Sequence, residues 1–163
     1  MIIKNISSII FFIILIFILL PRIPKLIYYR DLEGTKIEHK LRRNLMNDAE
    51  VVFPPKDGPS MAIYWASWCQ PCKIEMNRLA NSVRENKIPS SKIFAINLFE
   101  DELTIKKFIQ KSQYPFIFLK NDLQDELFKI TATPTTIIFN KDEISSISQG
   151  MSIIGIWKAE LQF

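Results

Sequence analysis

The stretch that decides the fold is Tyr64–Met76, which reads YWASWCQPCKIEM and contains both cysteines of the chain, Cys69 and Cys72. It overlaps the end of an apolar run, Met61–Ala66, that has the length and composition of a buried strand. From Cys72 onward, apolar residues recur at positions i+4, i+7, i+8 and i+11, which is the spacing of one helix face. The pattern therefore predicts that the cysteine pair lies at a corner between a strand and a helix.

Such a corner suits a reactive thiol. The N-terminus of a helix has unpaired N–H groups and a partial positive charge, which stabilise a thiolate and lower the pKa of a cysteine placed there. We therefore expect Cys69 to be the attacking sulfur and Cys72, on the inward face of the helix, to resolve a mixed disulfide. Pro71 fits the first helical turn, where a missing N–H costs nothing.

Two other uses of a C-x-x-C pair are less compatible with the sequence. A structural zinc site needs four ligands, whereas the chain has two cysteines and one histidine, His39, far away in the sequence. A structural cross-link over so short a loop removes little entropy from the unfolded chain. The residues favour redox chemistry, and we expect neither a metal nor an organic cofactor.

The segment resembles the active site of thioredoxin-fold proteins, and most closely that of the membrane-anchored TlpA/ResA-like thiol-disulfide oxidoreductases. A second motif, TATPTTIIFN at residues 131–140, resembles the segment of this family in which a cis-proline faces the disulfide. Two motifs in this order are more specific than C-x-x-C alone. Strand and helix patterns alternate between them, so we expect an α/β fold, a thioredoxin-like three-layer sandwich with an N-terminal transmembrane helix.

The resemblance also implies a set of site residues. Glu75, about one helical turn after Cys72, matches the active-site glutamate of the family and would take the proton from Cys72 during resolution. The alternative for Glu75 is a solvated helix residue. Thr133 would pair with the backbone of a substrate, held extended by a cis bond to Pro134, and Trp68 would shield the disulfide and offer an apolar landing surface.

Later segments extend the pattern. It predicts a strand over 92–98, a helix after Glu100–Glu102, a brief helix over 123–128 and a hairpin of strands 135–139 and 144–148. We interpret Glu100–Glu102 as compensation of the helix dipole and not as catalytic carboxylates. A closing helix would carry Ile153, Trp157 and Leu161 on one face.

Residues 1–30 are interpreted as an N-terminal membrane anchor. The run Ile9–Leu20 is entirely apolar, and flanking residues would extend it to the roughly 30 Å of a bilayer core. A cleaved signal peptide is the alternative, but the sequence after the run offers no small-residue cleavage site. Residues 31–54 are interpreted as a tether with an entry strand at Val51–Phe53, and residues 55–163 as the thioredoxin-like domain.

The cations after the apolar run and the family resemblance predict opposite sides of the membrane for the domain. Arg22, Lys25 and Arg30 follow the apolar run, and the positive-inside rule alone would keep the domain in the cytoplasm. TlpA/ResA-like proteins instead expose their domain outside the bacterial inner membrane, so we expect a single-pass protein with its domain in the periplasm or extracytoplasmic space. The net charge of +4 is concentrated beside the apolar run and favours anionic lipid over nucleic acid as a partner.

The predicted function is that of an enzyme, a protein thiol-disulfide oxidoreductase that exchanges a Cys69–Cys72 dithiol with protein substrates. The resemblance implies a reductant recharged by a membrane thiol donor, acting on apocytochrome c thiols as in cytochrome c maturation. A thiol oxidase or isomerase is an alternative, because Gln70 and Pro71 alone do not fix the reduction potential. A metal-binding chaperone that uses the same cysteines is another.

Overall fold

The computed structural model describes residues 2–20, 23–151, 156 and 159–163. The chain divides into two compact units, Met1–Leu32 and Glu33–Phe163. The first unit consists of helices α1 (Ile2–Leu19) and α2 (Ile23–Leu32).

The transmembrane helix predicted in residues 1–30 is not supported. Among the residues that the structure describes, no helix combines the length and the apolarity required to cross a membrane.

The second unit begins with a hairpin of two short strands, β1 (Lys40–Arg43) and β2 (Glu50–Phe53). The strands are antiparallel, with Lys40 opposite Phe53. The sequence predicts only the second strand, because three of the four residues of β1 are cations and resemble a solvated surface. Strand β1 forms nonetheless, because the charge of Arg42 is buried against Asp125.

A five-stranded sheet forms the centre of the second unit. Its strands are β3 (Pro59–Tyr64), β4 (Ile93–Ile96), β5 (Ile117–Leu119), β6 (Thr135–Asn140) and β7 (Glu143–Gln149). Their spatial order is β5-β4-β3-β6-β7, with β3, β4 and β5 parallel and β6 antiparallel to β3 and β7. Strand β3 is therefore central, and the cysteine segment that follows it leaves from the middle of one end of the sheet.

Helices α3 (Gln70–Arg84) and α4 (Glu102–Ser112) connect the three parallel strands. The steps from β3 to β4 and from β4 to β5 run in the same direction across the sheet, so right-handed crossovers place both helices on one face. One hydrophobic cluster joins them to the sheet; among its members are Trp65, Met76, Leu79, Ile109 and Phe118. This cluster fixes the start of α3, and therefore the cysteines, against the central strand.

Aromatic side chains close the opposite face of the sheet. Phe53, at the end of the hairpin, packs against Phe94 and Phe139 with ring centroids 5.0 and 5.4 Å apart. Phe128, from a short 3-10 helix (Leu123–Phe128), contacts Tyr64 and Phe139. The hairpin is thus part of the core and not only a connection to it.

Residues 33–45 also pair with both outer strands of the sheet. At β7, the N–H of Gly34 donates to the carbonyl of Ile144 at 2.8 Å. At β5, the N–H of Leu45 donates to the carbonyl of Phe118 at 2.7 Å. The segment that precedes the sheet therefore lies along both of its edges.

The strands, helices and hairpin predicted between the cysteines and residue 149 are all present, with ends that shift by a few residues. The brief helix is a 3-10 helix. In the predicted closing helix, Ile153 and Trp157 lie outside the described residues. Leu161, the third residue of the predicted face, lies in a turn and is exposed, whereas Ile156 and Ala159 are buried.

Candidate active site

Cys69 and Cys72 form a disulfide at the start of α3, with an S–S distance of 2.05 Å and Cα atoms 5.3 Å apart. Cys69 is the N-cap of the helix. Its backbone is extended, and its sulfur accepts a hydrogen bond from the N–H of Cys72 at 3.1 Å. Pro71 lies in the first turn, as the sequence predicts. The predicted strand-to-helix corner is therefore present, with one sulfur directed at the unpaired amides of the helix.

The two cysteines differ in access to solvent. Cys69 is 4% exposed and Cys72 is fully enclosed, so only the first residue of the pair reaches the surface. Trp68, next to Cys69, is 68% exposed, and its ring lies edge-on to Phe99 with centroids 6.3 Å apart. Cys69 is thus preceded in the chain by an exposed apolar side chain, and the shielding and docking roles expected of Trp68 stay predictions.

Glu75 is fully buried on α3, about one turn beyond Cys72. Its Oε2 accepts a hydrogen bond from the Arg78 guanidinium at 3.1 Å. The alternative interpretation of Glu75 as a solvated residue is therefore wrong. Glu75 is thus a buried carboxylate on the same helix as Cys72, and the proton-acceptor role expected of it stays a prediction.

The peptide bond between Thr133 and Pro134 is cis, as the sequence predicts. Strand β6 begins at the next residue, Thr135, which is paired with Tyr64 at the end of β3. The cis-proline therefore lies at the same end of the sheet from which the cysteine segment leaves. A second cis bond, Phe53–Pro54 at the end of the hairpin, is not predicted by the sequence.

Glu100 is a site residue that the sequence does not identify. Its carboxylate accepts hydrogen bonds from the hydroxyl and from the N–H of Ser67, the latter at 2.6 Å, and from the Asn97 amide at 2.7 Å. Burial raises the pKa of Glu100, but the hydrogen bonds from Ser67 and Asn97 outweigh it, so the net pKa lies below its ordinary value. The carboxylate stays ionised at neutral pH and contacts the segment that carries Cys69.

The other two residues of the acidic trio act on α4. Asp101 is the N-cap of the helix and accepts from the N–H of Thr104, while Glu102 lies in its first turn and pairs with Arg43. Dipole compensation therefore describes Asp101 and Glu102 but not Glu100. The signal that identifies Glu100 is topological, since it follows β4, the parallel neighbour of β3, by four residues.

Within the described ranges, no group of three or more His, Cys, Asp or Glu side chains is arranged to hold a metal ion. The one histidine, His39, donates from Nδ1 to the carbonyl of Pro54 at 2.7 Å. His39 is therefore part of the hydrogen bonding around the hairpin.

Known proteins resemble this chain in sequence. The model of a family described as thioredoxin-like matches residues 59–144. Thiol-disulfide oxidoreductase ResA of Oceanobacillus iheyensis is 36% identical over 93 residues, which cover 55% of this chain and 48% of that protein. Sporulation thiol-disulfide oxidoreductase A of Bacillus subtilis is 25% identical over 137 residues, which cover 80% and 74%. The chain spans about half the length of the curated ResA proteins that it matches.

Solved structures share the fold. StoA from Bacillus subtilis superposes with a TM-score of 0.63 at 23% identity, over 78% of this chain and 98% of that one. A thio-disulfide isomerase from Thermus thermophilus superposes with a TM-score of 0.62 at 19% identity, over 79% and 94%. The predicted thioredoxin-like α/β fold is confirmed.

Proposed function

The chain belongs to the thioredoxin-like family, and on this premise we propose that it is a protein thiol-disulfide oxidoreductase whose redox pair is Cys69 and Cys72. One observation carries the proposal: the two cysteines are bonded at a helix N-terminus, with one sulfur near the surface and the other enclosed. A pair built for structural cross-linking would not need this asymmetry, whereas an attacking and a resolving thiol do.

In the reducing direction, the Cys69 thiolate attacks one sulfur of a substrate disulfide. A bond forms between Cys69 and that sulfur, the substrate S–S bond breaks, and the leaving thiolate takes up a proton. The helix N-terminus stabilises the attacking thiolate, and Cys69 is the residue of the pair that a substrate can reach. The product is a mixed disulfide with the second cysteine still a thiol.

Resolution requires Cys72 to lose its proton. We assign Glu75 as the acceptor, because it is buried on the same helix and about one turn away. The Cys72 thiolate then attacks the sulfur of Cys69 and displaces the second substrate thiolate, which is protonated. Two electrons have passed to the substrate, and the Cys69–Cys72 disulfide is restored.

Substrates are proposed to be proteins and not small thiols. Trp68 and Phe99 form an exposed apolar surface beside Cys69, and Leu123 at the same end of the sheet is 80% exposed. Such a surface suits a polypeptide that loses water on docking. We propose that the backbone of Thr133, next to the cis bond to Pro134, pairs with the bound chain, as the likeness to TlpA/ResA-like proteins implies.

For direction and location, we propose a reductant that works outside the inner membrane and is recharged by a membrane thiol donor. The support is the likeness of both motifs to TlpA/ResA-like proteins, in which the domain is extracytoplasmic. The disulfide of oxidised apocytochrome c, which such a reductant would return to thiols, is the proposed substrate on the same ground. A reduction potential near that of strongly oxidising pairs, about −120 mV, would instead make the protein an oxidase, whereas one near thioredoxin, about −270 mV, supports the reductant.

Trapping tests the activity itself. The Cys72→Ser variant lacks the resolving thiol, so we expect it to accumulate adducts through Cys69 that dithiothreitol releases and whose partner can be identified. The Cys69→Ser, Cys72→Ser double variant is the matched control and should form none. An absence of adducts from Cys72→Ser, with both variants folded, would contradict the proposed exchange reaction.

A further inference from the structure

The carboxylate of Glu100 contacts the cysteine segment through one residue, Ser67. Both donors of Ser67, its N–H and its hydroxyl, bond to this carboxylate, and they bond to different oxygens. The Asn97 amide bonds to one of the same oxygens, and the Asn97 carbonyl oxygen accepts from the N–H of Glu100 at 3.1 Å. The carboxylate is therefore fixed by hydrogen bonds within its own loop while it accepts two hydrogen bonds from the cysteine segment.

Ser67 lies where the chain turns from strand β3 to helix α3. The N–H of Cys69 donates to the carbonyl of Ala66 at 3.1 Å, so Ser67 and Trp68 form the tip of a tight turn. The Trp68 ring rests against Phe99, the residue before Glu100. The loop after β4 thus contacts both residues of the turn, and the orientation of Cys69 at the N-cap depends on that turn.

We propose that Glu100 is a positioning residue for the redox reaction: through Ser67 it holds the turn so that the sulfur of Cys69 stays aligned with the amides at the N-terminus of α3. The inference rests on the proposed function, since alignment matters only if Cys69 reacts as a thiolate. Charge-assisted hydrogen bonds are the stronger class, and a carboxylate that accepts two from one residue restrains it in two directions. A neutral side chain at position 100 would weaken that restraint.

The charge of Glu100 and its positioning role would shift the pKa of Cys69 in opposite directions, which makes the inference testable. An anionic carboxylate near Cys69 disfavours a thiolate, so as a bare charge Glu100 would raise the pKa of the thiol. As a positioning residue it lowers that pKa, because it keeps the sulfur at the helix N-terminus. The groups around the carboxylate are the neutral donors Ser67 and Asn97, with Asp101 as the charged neighbour that acts on it.

The test compares Glu100→Gln with Ser67→Ala. Glu100→Gln removes the charge and weakens both hydrogen bonds from Ser67, whereas Ser67→Ala removes only the hydrogen bond from the hydroxyl. The readout is the rate at which iodoacetamide alkylates Cys69 in the fully reduced protein, measured from pH 4 to 10 to give the pKa of the thiol. We expect both variants to raise this pKa and, at pH values below it, to slow alkylation by about threefold to tenfold, the effect of losing one or two such hydrogen bonds.

Three further variants sharpen the result. The double variant should be no slower than the slower single one, because both act through one contact. Ser67→Thr keeps both donors and should restore the unmodified pH profile. Asp101→Asn, which removes the adjacent carboxylate but leaves a good N-cap for α4, is the control and should not shift the profile.

The inference is overturned if Glu100→Gln lowers the pKa of Cys69 while Ser67→Ala leaves it unchanged, since Glu100 would then act only as a charge. It is also overturned if neither variant moves the profile. An ordinary thiol pKa of about 8.5 in the unmodified protein would remove the proposed function and this inference together. If trapping by Cys72→Ser fails while the two variants still shift the profile, the proposed exchange falls and the positioning role stands.

Discussion

Replacing Arg42 by methionine is expected to destabilise the second unit by about 3–5 kcal/mol, the usual cost of breaking a buried ion pair from one side. The side chains of Arg42 and Asp125 are each 2% exposed, and their closest N–O distance is 2.7 Å. Arg42 also donates to the Lys120 carbonyl. Without the guanidinium, the Asp125 carboxylate stays buried with the Tyr64 hydroxyl and the Asp122 N–H as its remaining donors.

The assay is thermal and urea unfolding followed by circular dichroism at pH 7. A loss of this size lowers the midpoint by about 10–15 °C for a domain of this length. Arg43→Met is the matched control, because the side chain of Arg43 is a third exposed and pairs with surface carboxylates, so the midpoint should move far less. The double variant Arg42→Met, Asp125→Asn removes both charges and should recover at least half of the loss.

Two results would refute this reasoning. The first is an Arg42→Met variant as stable as the unmodified protein, which would mean that the Asp125 carboxylate tolerates burial alone. The second is a double variant as unstable as Arg42→Met, which would mean that the lost packing of the arginine stem, including its contact with the Phe53 ring, and not the orphaned charge, sets the cost.

Three shorter predictions concern pH, the core and the apolar surface. Hydrogen bonds from Arg43 and then Lys106 lower the pKa of Glu102 to about 2, so its ionised form contributes stability above its ordinary pKa of 4.5 that is lost as pH falls toward 2; the difference in urea midpoint between the unmodified protein and Glu102→Gln should vanish by about pH 2. Phe118→Ala should cost about 3–5 kcal/mol in urea unfolding, because the ring is fully buried, and a loss below about 1 kcal/mol would contradict its place in the core. Trp68→Ala should leave the thermal midpoint nearly unchanged but slow the reduction of a protein disulfide more than that of a small aromatic disulfide; equal slowing of both would count against a docking role.

Much of the fold is predictable from local pattern. The apolar run before Cys69, the helical spacing after Cys72 and the strand pairs around Asn140 each follow from periodicity within one segment. The placement of the cysteine pair is predictable for the same reason, since a strand, a turn and a helix follow one another directly in the chain. The cis bond at Pro134 depends instead on the resemblance of its motif to a known family.

The features that sequence does not reveal depend on partners distant in the chain. The sequence of β1 predicts a charged surface segment, because the residue that neutralises Arg42 is Asp125, 83 positions later. The sequence shows Glu100 only as one of three acidic residues at the start of a helix, because its hydrogen-bond partner Ser67 lies 33 positions earlier.

The pairing of residues 33–45 with both outer strands has a practical consequence. A shortened protein that begins at residue 59, where the match to the family model begins, would leave backbone groups of β5 and β7 without the partners that residues 33–45 provide. Uncovered sheet edges recruit further copies of a chain. Such a protein would therefore self-associate on expression, and a version that starts before residue 33 is the one suited to solution work.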